Sequence, residues 1–201
     1  MDAVSSIALA AGLGWASGIR LYATVCIVGV LHRFGYIHLP HALDILGNPY
    51  VIGLSAVLLV IEFFADKLPW IDSAWDSVHT FIRIPAGALL AMGAIDSGDP
   101  LIAASVALLG GTLAGGTHFA KSGSRALINT SPEPFSNGLA SFGEDGLLLF
   151  GLWLMLAHPL WFIVFLLLFV GVLIWLLPRL WRGVKLVLAR LAGLFRPGPA
   201  G

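Results

Sequence analysis

The chain has 201 residues, of which 58% are hydrophobic and only 11% are charged, and its mean hydropathy is +0.93. A soluble domain of this size usually has about 25% charged residues, so the composition excludes an ordinary soluble protein and indicates an all-α integral membrane protein. The formal net charge is zero, which gives no general attraction to nucleic acid. We therefore expect a lipid bilayer as the surroundings and no nucleic-acid partner.

Hydropathy predicts about six transmembrane helices, which form one polytopic domain over residues 1–178. In chain order they cover about residues 4–31, 49–66, 78–95, 100–119, a segment that ends near Ala157, and residues 159–178. Pro159 separates the last two, because the apolar run is too long for one crossing at about 1.5 Å per residue. The N-terminus has no basic region, which favours a retained first helix over a cleaved signal.

The basic residues predict the orientation. Five of them crowd the C-terminal end, which is therefore expected on the cytoplasmic side of a bacterial inner membrane: Arg179, Arg182, Lys185, Arg190 and Arg196. Six crossings would place the N-terminus on the cytoplasmic side as well. Residues 179–201 form a basic tail with apolar residues at helical spacing, which predicts an amphipathic helix attracted by anionic lipid.

Two predicted helices carry glycine clusters followed by a basic residue, and we expect them to be broken or re-entrant. The first contains "AGLGWASGIRLYA", with Gly18 before Arg20, and the fourth contains "GGTLAGGTHFAKSGSR", with Gly116 before His118. Alignment on these glycines places "ASGIRL" beside "AGGTHF". With three helices per half, this match predicts inverted repeats, a feature of transporters. Chance similarity and close helix packing at glycine are the alternatives.

The stretch "SPEPFSNG", residues 131–138, precedes an apolar run of about 18 Å as a helix, which is short for a core of about 30 Å. One interpretation is a cytoplasmic loop before a short or tilted helix. The other is the non-helical entry to a re-entrant or full span that draws Glu144 and Asp145 into the membrane. Since proline stops a helix at this point, Ser136 or Asn137 would cap its start.

A substrate-binding site is predicted where the broken first and fourth helices meet this entry to the fifth. Buried charges need partners. The basic residues and a helix N-terminus would contact an anionic group of a solute, and the carboxylates would carry coupling protons or hold the basic residues in place. The predicted site residues are Arg20, Glu62, Asp66, Arg83, Lys121, Arg125, Glu133, Asn137, Glu144 and Asp145.

The favoured function is a small inner-membrane transporter or permeation protein, and so small a chain is compatible with a homodimer. The less favoured alternative is a membrane-embedded enzyme that acts on a lipid, with Asp72, Asp76 and His79 holding a metal such as Mg²⁺. A third is a non-catalytic scaffold whose polar residues only lock helices together. His38, His41 and Asp44 in "HLPHALD" could bind zinc, but a fourth ligand is missing. The catalytic motifs of soluble enzymes are also missing from the sequence. We therefore predict no catalytic residue, metal or cofactor.

The motif "NTSPEPFSN", followed by "GED" and an apolar run, occurs together with "GIR" in the first predicted helix. This combination resembles an uncharacterised bacterial membrane family, domain of unknown function 4126. The likeness covers about residues 5–175 and leaves out the basic tail. It implies a multi-span inner-membrane protein, and it implies no substrate or reaction.

Overall fold

The computed structural model describes residues 2–95, 97–130 and 134–194, and this part of the chain contains helices and no strands. The elements in order are α1 Ala3–Arg33, a 3₁₀ helix His41–Gly47, α2 Pro49–Ala65, α3 Pro69–Gly93, α4 Pro100–Ile128, α5 Pro134–Ala157 and α6 Pro159–Leu194. Each α-helix after the first begins with proline. At that position the missing N–H leaves no helical hydrogen bond unmade.

Four helices of the described residues are long and apolar enough to cross a membrane: Ala3–Arg33, Pro100–Ile128, Phe135–Ala157 and Pro159–Val187. The 3₁₀ helix and α2 pass the same test together, as a pair bent by 63°. Several such helices indicate a multi-pass membrane protein. The predicted count of six spans is not confirmed.

Helix α1 is broken in its middle. Arg20 has φ −147° and ψ 91°, so two helical halves, residues 3–19 and 21–33, meet at one extended residue. The first half runs antiparallel to α5. Gly12 lies against Met155, and Arg20 is paired with Asp145 ten residues earlier in α5.

The second half of α1 turns back toward the end of the bundle at which the first half begins. Gly29 lies against Leu46 of the 3₁₀ helix, and Leu43 of the same short helix lies against Gly93 at the end of α3. Because α3, α4 and α5 follow one another through short connections and pack as antiparallel neighbours, α3 and α5 end at the same face. Helix α1 is therefore a re-entrant hairpin with Arg20 at its tip.

The hairpin defines two faces of the bundle. The hairpin face carries both ends of α1 and the α3–α4 and α5–α6 connections. The tail face carries the α2–α3 and α4–α5 connections and the end of α6. The predicted break in the first helix is thus confirmed.

Helix α4 is unbroken, so the predicted interruption at its glycines is wrong. Those glycines allow close packing instead: a Cβ added to Gly14 would lie 2.7 Å from the Cα of Gly110. Gly18 lies against Ala114, so the first half of α1 and α4 run parallel. Corresponding helices of inverted repeats run antiparallel, and the predicted repeat is not confirmed.

Helix α5 has 24 residues, which gives a length of about 36 Å, enough for a full crossing. Of the predicted alternatives, the full span that begins near Ser136 and includes Glu144 and Asp145 agrees with this helix, and the short helix does not. Pro134 occupies the first helical position, and Ser136 and Asn137 lie inside the helix rather than capping it. The preceding residues 131–133 lie outside the described residues.

Helix α6 continues through Pro178 to Leu194, so the tail does not begin with a separate helix. The predicted boundary at residue 178 falls inside this helix. Arg196 lies outside the described residues.

The first half of α1 occupies the centre of the apolar core. Trp15 is fully buried, and its ring meets the rings of Phe162, Phe165 and Phe169 on α6 edge-on, at centroid distances of 5.5–5.9 Å. Gly151 on α5 leaves the space that the indole fills. This packing fixes the hairpin, and with it the position of Arg20.

Candidate functional site

Side chains of other residues hydrogen-bond to the backbone on both sides of the break in α1. The carbonyl of Gly18 accepts from Arg83 Nη1 at 3.4 Å, and the carbonyl of Arg20 accepts from Thr24 Oγ1 at 2.9 Å. Irregular backbone within a membrane is tolerated only where protein or water satisfies it. The polar surroundings of the break therefore make it possible.

The Arg20 side chain is completely buried and joins the tip of the hairpin to two other helices. Its Nη2 atom lies 2.9 Å from Asp66 Oδ2 at the end of α2, and its Nε atom lies 2.5 Å from Asp145 Oδ1 on α5. Nη2 also donates to Ser141 Oγ at 2.6 Å. Two carboxylates thus neutralise this one guanidinium.

A second guanidinium, Arg83 on α3, is fully buried and paired with the equally buried Glu62 of α2. Its Nη1 atom lies 3.5 Å from Asp76 and 3.1 Å from His118 Nδ1. Because a guanidinium can only donate, His118 must accept at Nδ1 and carry its proton on Nε2, which donates to Thr80 Oγ1 at 2.7 Å. The histidine predicted beside the α4 glycines is therefore a neutral part of this network.

Helix α4 contributes the two cations that connect these centres. Lys121 Nζ lies 3.4 Å from both Asp66 and Glu144 and 3.7 Å from Glu62. Arg125 donates to both carboxylate oxygens of Glu144, at 2.9 and 3.0 Å, and its Nη1 donates to the Asn137 carbonyl at 2.9 Å. The bidentate geometry holds α4 and α5 in a fixed register.

Toward the tail face, amide side chains close the network. Asn137 Nδ2 donates to Asn129 Oδ1 at 2.6 Å, and Asn129 Nδ2 donates to Asp72 Oδ2 at 3.0 Å. Asn137 is fully buried. The second half of "SPEPFSNG" is therefore helical and contributes directly to the cluster.

His79 lies at the edge of the cluster and has both ring nitrogens occupied. Nδ1 donates to the Trp75 carbonyl at 2.7 Å, and Nε2 accepts from the Tyr22 hydroxyl at 2.9 Å. Its ring stacks on Trp75, with centroids 4.1 Å apart. In the described residues no three His, Cys, Asp or Glu side chains are grouped to hold a metal ion, so the geometry does not support the alternative in which Asp72, Asp76 and His79 hold a metal.

The structure brings nine of the ten predicted site residues into one cluster. Those present are Arg20, Glu62, Asp66, Arg83, Lys121, Arg125, Asn137, Glu144 and Asp145. Glu133 lies outside the described residues. Sequence reasoning missed Ser141, which stands four residues from both Asn137 and Asp145 and could have been found by helical spacing.

Within the described residues, six carboxylates face four buried cations, and Lys67 at the rim also interacts with Asp66 and Asp145, so the fully ionised group would carry a formal charge of −1. The carboxylates are Glu62, Asp66, Asp72, Asp76, Glu144 and Asp145, and the cations are Arg20, Arg83, Lys121 and Arg125. Several buried carboxylate oxygens have no hydrogen-bond partner among them, including both oxygens of Asp76. The cluster can therefore accept protons or a cation more readily than an anion.

Comparison with known proteins identifies the family of the chain. The chain belongs to the family described as Domain of unknown function (DUF4126), whose model matches residues 7–179. No curated protein and no solved structure matches the chain.

Proposed function

For this member of the DUF4126 family, we propose a small-solute transporter or permeation protein of the bacterial inner membrane. The observation that supports it most strongly is the position of Arg20, at the tip of a re-entrant hairpin and inside a buried ionisable cluster. In transporters, discontinuous helices near the bilayer midplane commonly form the substrate and ion sites. Ionisable residues at such depth are costly and usually functional.

The charge balance guides the choice of solute. The sequence favoured an anionic solute, because four basic residues and a helix N-terminus were expected at the site. Each of these basic side chains now has at least two carboxylates within 4.0 Å, so none is available to an anion without breaking a pair. We therefore propose that the site exchanges protons or binds a cationic solute, with the carboxylates as carriers.

The proposed orientation follows from the basic residues near the end of α6. Arg179, Arg182 and Lys185 put the tail face in the cytoplasm, where they would also contact anionic lipid. In this proposed orientation the N-terminus would lie on the outer side, in place of the cytoplasmic N-terminus that six crossings implied. This arrangement needs five crossings, α2 to α6, and α3, which hydropathy alone does not qualify as a span, would cross with its charged side chains paired to neighbouring helices.

Proton flux into liposomes tests the proposal. The purified chain is reconstituted in vesicles that contain a pH-sensitive dye, and a pH step and a membrane potential are applied. Asp145 is about one-third exposed and paired with Arg20, so Asp145→Asn should preserve the fold and reduce the flux at least tenfold. The exposed Asp44, which pairs with His41 outside the cluster, provides the control Asp44→Asn, and its flux should stay unchanged.

A scaffold is the second candidate function, because the same ion pairs link five helices. A scaffold predicts that the wild-type protein shows no flux above empty vesicles, and that charge-removing substitutions lower stability and nothing else. Flux in the wild type that is insensitive to Asp145→Asn would leave transport in place and remove this cluster as its site.

A further inference from the structure

Asp72 on α3 differs from the other carboxylates of the cluster because it has no cation beside it. The others each have a Lys or Arg nitrogen within 4.0 Å: Glu62, Asp66, Asp76, Glu144 and Asp145. In the part of the chain that the structure describes, no such nitrogen lies that close to Asp72, which is completely buried and whose Oδ1 atom has no hydrogen-bond partner. A buried carboxylate without an ion pair is costly to keep ionised, and a bound proton removes that cost.

The charged groups around Asp72 do not supply the missing partner. Asp76 on the same helix and Asp66 at the end of α2 are both acidic, and the cation that acts on Asp72 is Arg125 of α4. The guanidinium of Arg125 already donates to both oxygens of Glu144 and to the Asn137 carbonyl. A turn of Arg125 toward Asp72 would break this bidentate pair. The surroundings therefore leave the neutralisation of Asp72 to a proton.

The amide of Asn129 separates Asp72 from the solution at the tail face. Its Nδ2 atom donates to Asp72 Oδ2 at 3.0 Å and to Ser73 Oγ at 3.1 Å, and its Oδ1 atom accepts from Asn137 Nδ2 at 2.6 Å. Ser73 is exposed and Asn129 is half-buried, whereas Asp72 is completely buried. Because a hydrogen bond to an ionised carboxylate is stronger than one to the neutral group, a proton on Asp72 weakens its bond to Asn129.

We propose that Asp72 is the proton-binding residue at the tail-face end of the cluster, and that Asn129 is the positioning residue that controls access to it. A proton from the solution adds to Oδ1 and neutralises the carboxylate, and the bond from Asn129 to Oδ2 weakens. Release of the proton restores the charge and the bond. This deepens the proposed function by naming one carrier of the exchanged proton. It rests on that function only in treating the bound proton as a transported one.

Infrared difference spectroscopy tests whether Asp72 binds a proton. The full chain is placed in vesicles of ether-linked lipid, which has no ester carbonyl groups to hide the carbonyl stretch of a protonated carboxyl group. Spectra are recorded from about pH 4 to about pH 10, a range that covers ordinary and strongly shifted carboxyl groups. The wild type should show a carboxyl band that disappears as the pH rises, and Asp72→Asn should lack it. Asp44→Asn, which replaces an exposed acid outside the cluster, should keep it.

A second variant tests the role of Asn129. Asn129→Ala removes a hydrogen bond that favours the ionised carboxylate, so Asp72 should keep its proton to a higher pH. The pH at which the band disappears should rise by at least about one unit, because a hydrogen bond to a charged group is lost. Thr130→Ala, at the adjacent exposed position, should leave this pH unchanged. A purely structural role of Asn129 would lower stability without moving it. Asn129→Ala also keeps the test valid if Asp72→Asn fails to fold.

Proton flux separates this proposal from the proposed function. In the liposome assay, Asp72→Asn should lower the flux at least tenfold. A band that is the same in the wild type and Asp72→Asn would overturn proton binding at Asp72, and an unmoved band in Asn129→Ala would overturn the role of Asn129. The expected bands without flux in the wild type would leave Asp72 as a proton-binding residue and remove transport. Flux in the wild type with an unchanged band in Asp72→Asn would do the reverse.

Discussion

Replacement of Arg20 by methionine is the most direct test of the buried network. Arg20 is completely buried, and its guanidinium is paired with Asp66 and Asp145 at 2.9 and 2.5 Å. Methionine keeps much of the side-chain volume and removes the charge, so two carboxylates lose a partner. Breaking a buried pair from one side costs about 3–5 kcal/mol, and we expect Arg20→Met to lower the free energy of unfolding by that amount.

Reversible unfolding in mixed micelles, followed by near-UV circular dichroism, measures this loss. Arg33→Met is the matched control, because Arg33 is exposed on the same helix and makes one 3.3 Å bond to the Gly47 carbonyl. Its loss should stay below about 0.5 kcal/mol, as is usual for surface substitutions. The triple variant with Asp66→Asn and Asp145→Asn should recover part of the stability, since the two carboxylates that faced Arg20 are then neutral and Lys121 and Arg125 keep Glu144 as a partner.

Two results would refute this reasoning. A loss under about 1 kcal/mol for Arg20→Met would equal that of an exposed ion pair and would mean that water reaches the cluster. A triple variant no more stable than Arg20→Met would mean that Arg20 acts through its shape and its contact with the hairpin, and not through its charge.

Packing and topology give two further predictions. Gly14→Val should lower the free energy of unfolding by about 1–3 kcal/mol, because even a Cβ at this position would lie 2.7 Å from the backbone of α4. Gly138→Ala should be neutral or stabilising, because nothing lies within 4 Å of its added Cβ. Chemical unfolding of both variants measures the difference. In a background whose single native cysteine is serine, cysteines at Ala3 and Tyr36 should react with an impermeant thiol reagent from one side of the membrane, and a cysteine at Lys185 from the other. Labelling of positions 3 and 36 from opposite sides would show that α1 crosses.

The members of the charged cluster could be predicted from the sequence, because a charge buried in a membrane needs an opposite charge or a polar partner nearby. Arg20 and Asp66 lie in apolar runs, and each needs an opposite charge at the same depth. That argument gives the members of the network without giving their pairing. The pairing of Arg20 with Asp145 instead of Glu144 depends on the height and rotation of α5, which tertiary packing sets.

The direction of the chain after a break is the part that sequence could not supply. Gly18 and Arg20 indicated that the first helix is interrupted, but one extended residue permits either a kink or a return. The return depends on Gly29 meeting Leu46 of the 3₁₀ helix, a contact between segments that carry no pairing signal. Pro178 gave the opposite error: it was predicted to end the sixth helix, but it lies inside the continuous α6.

The transporter and scaffold proposals make different demands on the charge balance. A network that only locks helices gains nothing from carboxylates in excess, because a buried carboxylate without a hydrogen-bond partner lowers stability. Asp76 is such a group, and an amide in its place would remove the charge at nearly constant volume. If the cluster serves transport, this loss of stability is retained for function, as is common at functional sites. Asp76→Asn should then leave the free energy of unfolding unchanged or higher while it lowers the proton flux, whereas a clear loss of stability would favour the scaffold.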